Sequence, residues 1–139
     1  SDVQEVVVKG PKTNADVTVM VVDDSLTVRR ITQKFLDREG FRCIVAKDGL
    51  DAIEKITEHG CPDLFLSDIE MPNMDGFQLV EHIRTAVSKT VPIIMISSRS
   101  IEKYEDHARS LGVNKSIGKP YQEPELLAAI QSLTGLIPA

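Results

Sequence analysis

The chain has 139 residues, 42% of them hydrophobic and 27% charged, which supplies apolar material for one domain around one core. Lys plus Arg number 16 against 21 Asp plus Glu, and the resulting formal charge of −5, with no local basic patch, disfavours nucleic acid or an anionic membrane as partner. No run approaches the roughly 20 apolar residues of a membrane span, and the opening Ser1-Asp2-Val3-Gln4-Glu5 is not a signal peptide, so a cytoplasmic protein is expected.

Residues 1–16 read as a linker or tail: Val6-Val7-Val8 is followed by the turn-rich Lys9-Gly10-Pro11-Lys12-Thr13-Asn14. The missing initiator Met points to a piece of something longer. From residue 17 to 135 strands and helices alternate, and 136–139 form a short tail. The strands predicted from β-branched apolar runs are Thr18–Val22, Phe41–Ala46, Leu64–Ser67, Pro92–Ser97 and Val113–Gly118. Three of them are apolar on consecutive residues (Val19-Met20-Val21-Val22, Leu64-Phe65-Leu66, Ile93-Ile94-Met95-Ile96), the pattern of central strands covered on both faces.

Helical periodicity follows the strands, as in Val28, Ile31, Phe35, in Phe77, Val80, Ile83, Val87 and in Leu126, Leu127, Ile130, Leu133. Gly40, Gly60, Gly112 and Gly135 stand where a left-handed residue would end each helix, and Asp48 is placed to cap a helix starting near Gly49. Cys43 and Cys61 have no CxxC spacing and read as small buried hydrophobes. The alternation requires parallel strands joined by right-handed crossovers. The expected fold is α/β: a five-stranded doubly wound parallel sheet in the flavodoxin-like order 2-1-3-4-5, with helices on both faces and the site beyond the strands' carboxyl ends.

Chemistry should therefore lie just after strands, and it does. Asp23 and Asp24 follow the first strand and Asp68 the third, so three carboxylates share one edge and would repel one another without a cation among them. Oxygen-only ligands in small number suit Mg²⁺. Ser97 closes the fourth strand, and Lys119-Pro120 the fifth. A carboxylate nucleophile, a metal pair, a hydroxyl and an ammonium form a phosphoryl-transfer set, with Asp68 attacking phosphorus and Lys119 and Ser97 facing the phosphoryl oxygens.

These residues resemble the receiver domain of bacterial two-component response regulators. The resemblance rests on Val21-Val22-Asp23-Asp24-Ser25, on Asp68-Ile69-Glu70-Met71-Pro72-Asn73-Met74-Asp75-Gly76, on Ser97 and on Lys119-Pro120. It implies that Asp68 is the phosphoacceptor, that Asp23, Asp24, Asp68 and the Glu70 backbone carbonyl hold Mg²⁺, that Ser97 is the switch hydroxyl and that Lys119 bridges to phosphate. It also implies a cis Lys119-Pro120 bond and a partner that is a histidine kinase or histidine phosphotransfer domain, including domains of a parent chain. Asp23-Asp24-Ser25-Leu26-Thr27-Val28-Arg29-Arg30 and Gly118-Lys119-Pro120-Tyr121-Gln122-Glu123 resemble more narrowly the C-terminal receivers of hybrid chemotaxis-type histidine kinases, including those of twitching motility.

Two departures stand out. Three positions before Lys119 the family carries a rotating aromatic, whereas this chain has Ser116, with Tyr104 or Tyr121 as substitutes for the ring. Glu70 and Arg99, each two residues beyond a site residue, are placed to pair across the pocket. His59, His82 and His107 lack metal-ligand spacing and read as surface, as do Arg29-Arg30. The competing functions are an unphosphorylated docking module, a stand-alone response regulator and a metal-dependent phosphatase; the last would want an Asp at the Glu70 position.

Overall fold

Both faces of the sheet are covered, which is why its central strands are apolar on consecutive residues. The computed structural model describes residues 12–98 and 101–136. Its elements are β1 (Thr18–Val22), α1 (Leu26–Arg38), β2 (Arg42–Ala46), α2 (Gly49–His59), β3 (Leu64–Asp68), α3 (Gly76–His82), β4 (Ile93–Ser97), α4 (Ile101–Leu111), β5 (Lys115–Gly118) and α5 (Glu123–Thr134). All strand pairs are parallel, in the order β2-β1-β3-β4-β5. The winding reverses between β1 and β3, so their carboxyl ends open a crevice there.

Alternate residues of each strand point to opposite faces. Val19, Val21, Leu64, Leu66, Ile94 and Ile96 pack with Phe35 and Leu36 of α1 and with Leu126 and Ile130 of α5. Met20, Val22, Phe65, Ile93 and Met95 pack with Ala52 of α2, Leu79 and Val80 of α3 and Ala108 of α4. Truncating Phe65, which is fully buried, would cost about 3–5 kcal/mol.

Three strands begin later than the apolar runs predict: β4 at Ile93 in place of Pro92, and β2 and β5 for one shared reason. The Phe41 N–H donates to the Leu36 carbonyl and the Val113 N–H to the Ala108 carbonyl, each at 3.0 Å, behind glycines at φ +88° and φ +99°. These are helix-closing bonds in which the apolar residue after the glycine belongs to the helix end, not to the strand. Gly135 is left-handed too, as expected, whereas Gly60 combines φ +83° with an extended ψ of 179°, and Asp48 accepts from the Asp51 N–H to cap α2.

Other expectations are corrected. The third helical run does not stay α to Val87: Ile83–Val87 is a wider turn, closed by Ser88 N–H on the Ile83 carbonyl, while Arg84 reaches out to the Gly112 carbonyl. Ile31 is 58% exposed, since the buried stripe of α1 is Thr32, Phe35 and Leu36. Cys61 is exposed in the α2–β3 connection, not a buried hydrophobe; Cys43 is half-buried, and burial pushes its thiol up to about 12. Both thiols are free.

Part of the segment read as a tail is ordered against the domain. Asn14–Asp16 form a 3₁₀ turn, the Asn14 amide donates to the Glu39 carbonyl at 2.7 Å, and the Lys12 ammonium to the Thr134 carbonyl at 3.2 Å. Among the described residues no helix is long and apolar enough to cross a membrane.

Candidate active site

The end of β1 delivers Asp23 and Asp24, and the end of β3 delivers Asp68, into the crevice where the winding reverses. One carboxylate oxygen from each lies within 4.8 Å of the others. Asp23 is buried and Asp24 exposed, so the cluster is seated in the sheet on one side and open to solvent on the other. Backbone fixes two of the three: the Ser25 N–H donates to Asp23 Oδ1 at 2.9 Å, and the Ile69 N–H to Asp68 Oδ1 at 2.8 Å.

Lys119 enters from the end of β5. Its ammonium donates to Asp23 Oδ2 at 2.8 Å and stands 3.4 Å from Asp68 Oδ2. The Lys119 backbone N–H donates to the Ser97 carbonyl at 2.8 Å, and the Lys119-Pro120 bond is cis. Burial pushes the Asp68 carboxyl above its ordinary value; the Lys119 ammonium pulls the other way and the Asp23 charge adds to the rise. Burial pulls Lys119 down, yet its hydrogen bond to Asp23 and the two carboxylate charges outweigh that and raise it, so it stays an ammonium.

The loop after Asp68 is shaped by close contacts. Gly76 N–H donates to the Ile69 carbonyl at 2.7 Å, and a Cβ on Gly76 would overlap the Asp68 carbonyl oxygen. Asn73 takes φ +67°. Glu70 is exposed in this loop and Ser97 is buried at the end of β4. The expected Glu70–Arg99 pair lies partly outside the described residues, because Arg99 is not among them.

Ser116 is half-buried and pairs with Met95, so it faces the α2–α4 side. Tyr104 lies on that side, its ring 5.8 Å from that of Phe77; Tyr121 lies on the opposite side, 6.4 Å from Phe35. Of the two tyrosines, only Tyr104 shares the face of Ser116. His59 and His107 are exposed, and His82 is half-buried.

Sequence reasoning read Arg29 as surface and gave Thr32 and Asn73 no role of their own. Arg29 is more than helix surface: its guanidinium donates to the Asp23 carbonyl at 2.6 Å. Asn73 sits in a Pro-Asn-Met-Asp turn, where a left-handed Asn was readable. For Thr32 the only signal was a hydroxyl on the apolar stripe of α1.

The three-carboxylate set fits a hard divalent cation: its donors are all oxygens, few and converging, with Asp24 open to solvent. Comparison with known proteins agrees with this geometry. The profile of the response regulator receiver domain matches residues 19–131. Protein PilG of Pseudomonas aeruginosa is 37% identical over 115 residues, spanning 82% of this chain and 84% of that protein. The sensor histidine kinase RcsC of Escherichia coli strain K12 is 32% identical over 112 residues, spanning 81% of this chain but 12% of the kinase. The chemotaxis response regulator CheY4 of Vibrio cholerae superposes with a TM-score of 0.76 at 30% identity, covering 84% of this chain and 98% of that one. The receiver domain of a Pseudomonas aeruginosa sensor histidine kinase, with a magnesium ion coordinated in its active-site cleft, shares the fold at a TM-score of 0.77 and 24% identity, covering 86% of this chain and 98% of that one.

Proposed function

This chain belongs to the response regulator receiver domain family, and from that premise we propose that it accepts a phosphoryl group on Asp68 from a phosphohistidine of a histidine kinase or histidine phosphotransfer domain. It is a receiver of two-component signalling, homologous to chemotaxis regulators and to segments of sensor histidine kinases. The observation that carries the proposal is the reach of one ammonium, Lys119 Nζ, to both Asp23 and Asp68 inside a converging carboxylate cluster.

In the proposed step an Asp68 carboxylate oxygen forms a bond to phosphorus as the phosphorus–nitrogen bond to the donor imidazole breaks, the imidazole keeping the electron pair. Lys119 draws the equatorial phosphoryl oxygens, and the Ser97 hydroxyl donates to one of them. Asp23, Asp24, Asp68 and the Glu70 carbonyl would hold Mg²⁺, which when bound supplies positive charge to the phosphoryl oxygens. The Ile69 N–H bond orients Asp68, and that of Ser25 keeps Asp23 turned inward.

We place the domain in a hybrid chemotaxis-type kinase of the cytoplasm. The segments Asp23–Arg30 and Gly118–Glu123 support this, as does the match to a small part of RcsC; the match to most of PilG supports the stand-alone alternative.

The test is incubation with Mg²⁺ and acetyl phosphate, followed by intact mass. One added phosphoryl group is the expected result. A folded chain with unchanged mass would instead be a docking module, and donor turnover without an adduct would mark a phosphatase.

A further inference from the structure

Helix α1 holds Asp23, one partner of the Lys119–Asp23 ion pair, and Tyr121, two residues beyond the other. Arg29 and Thr32 are three residues apart and so lie on the same side of the helix. Arg29 holds the Asp23 carbonyl at 2.6 Å, and the Thr32 hydroxyl shares a 2.9 Å hydrogen bond with the Tyr121 hydroxyl, two residues beyond Lys119. Thr32 is only 2% exposed, so its hydroxyl has little access to water and the bond to Tyr121 satisfies it. Thr32, Tyr121, Asp68 and Lys119 also line one small cavity of about 10 Å³.

We propose that the Thr32–Tyr121 hydroxyl pair is a latch that sets the position of Lys119, making both of them positioning residues for phosphoryl transfer. The inference rests on the function proposed above. Only Pro120 stands between Tyr121 and Lys119, and its ring-fixed φ carries a displacement of Tyr121 back to the Lys119 backbone. Lys119 must meet oxygens whose charge is redistributed in the transition state, and a small misplacement there lowers the rate. The latch therefore gives α1 a hold on the chemistry.

The test compares the parent chain with Tyr121→Phe, Thr32→Val, the double variant and Thr32→Ser. Phosphoryl incorporation from acetyl phosphate is followed at saturating Mg²⁺, giving the maximal rate constant and the half-saturating donor concentration, with Mg²⁺ affinity measured separately. Both single variants and the double are expected to lose the same factor in rate constant, about three- to tenfold, because all three remove one hydrogen bond. Donor half-saturation stays at the parental value, and Thr32→Ser, which keeps the hydroxyl, restores the rate. Single variants that label at the parental rate overturn the latch, and so do losses that multiply in the double variant, since they would mean separate roles.

A readout free of phosphoryl chemistry separates this from the underlying function. The Nζ–Cε signal of Lys119, recorded by NMR without donor, is expected to move in Tyr121→Phe and Thr32→Val and to stay in Thr32→Ser. An unmoved signal in the first two overturns the latch whatever the rates do. A parent chain that takes no phosphoryl group overturns the function instead, and the Lys119 signal still decides the latch.

Discussion

The Asn73 side-chain amide donates to Asp48 Oδ2 at 2.9 Å, joining the loop that follows Asp68 to the N-cap of α2 across 25 positions of sequence. The other Asp48 oxygen accepts the Asp51 N–H at 2.8 Å, and Gly49 N–H donates to the Met74 carbonyl at 3.2 Å beside it. The loop is thus clamped to a helix end that is itself capped by the same carboxylate.

Removing that carboxylate should loosen both. The Asp51 N–H bond holds Asp48 below its ordinary value against the opposing effect of burial, and the Asn73 amide and Lys47 act in the same sense. An acid whose folded value is depressed stabilises the fold above its unfolded value, near 3.9, and loses that contribution as pH falls through the folded one. Asp48→Ala is expected to cost about 1–2 kcal/mol at neutral pH. Urea unfolding of parent and variant checks this, and the difference should shrink in acid below the ordinary carboxylate range.

Asp68→Asn is expected to take up no phosphoryl group and to remain folded. Burial, opposed by Lys119 but aided by Asp23, raises the Asp68 carboxyl in the folded state. The ionised form is therefore disfavoured by folding, and stability falls as pH rises from the unfolded value through the folded one. At neutral pH without metal, the thermal midpoint of Asp68→Asn should equal or exceed that of the parent. Intact mass and a thermal scan settle both halves; parental labelling of the variant would remove Asp68 from the chemistry.

Mg²⁺ should stabilise the parent by mass action, about 2.7 kcal/mol at a hundred times its dissociation constant. Chelation should reverse the gain and stop labelling. Asp24→Ala, which removes the solvent-facing carboxylate of the cluster, should weaken the metal at least about tenfold. A metal titration read by thermal midpoint distinguishes this from an unchanged affinity.

Gly76→Ala tests how closely the loop returns to β3. Its Cβ would overlap the Asp68 carbonyl oxygen and stand 2.9 Å from the Ile69 Cα, both of them backbone. A loss of about 1–3 kcal/mol is expected from the forced backbone shift, with slower labelling because the shift falls on Asp68. An unchanged urea midpoint would show that the loop gives way freely.

The strands and the residues at the sheet's carboxyl edge were legible because each depends on local pattern, whereas the strand order followed from the short chain and the common doubly wound topologies. Consecutive apolar residues such as Ile93-Ile94-Met95 betray two covered faces, and a carboxylate directly after such a run has only one edge to occupy. Helix ends misled where two signals overlapped: Phe41 and Val113 look like strand starts yet close the preceding helices. Ile31 has the right period for α1 but falls at the margin of its buried stripe, and periodicity alone cannot say which of two adjacent stripes faces the sheet. The partners of Arg29, Thr32 and Asn73 lie in other elements or across a loop, so no local pattern marked them.

The 3₁₀ turn at Asn14–Asp16 has a consequence for how such a domain can be joined to others. Lys12 touches the Thr134 carbonyl and Asn14 Oδ1 lies 3.5 Å from Gln131 Nε2, so the route into the fold and the route out of it meet at one corner, at the amino end of β1 and away from the carboxylates. A unit with adjoining entrance and exit behaves as a cassette. It can be spliced into a surface loop of a host without prising the host's strands apart, or have its own ends tied and be reopened elsewhere. Tension transmitted along a host chain would load that corner and leave the carboxylate-bearing edge slack.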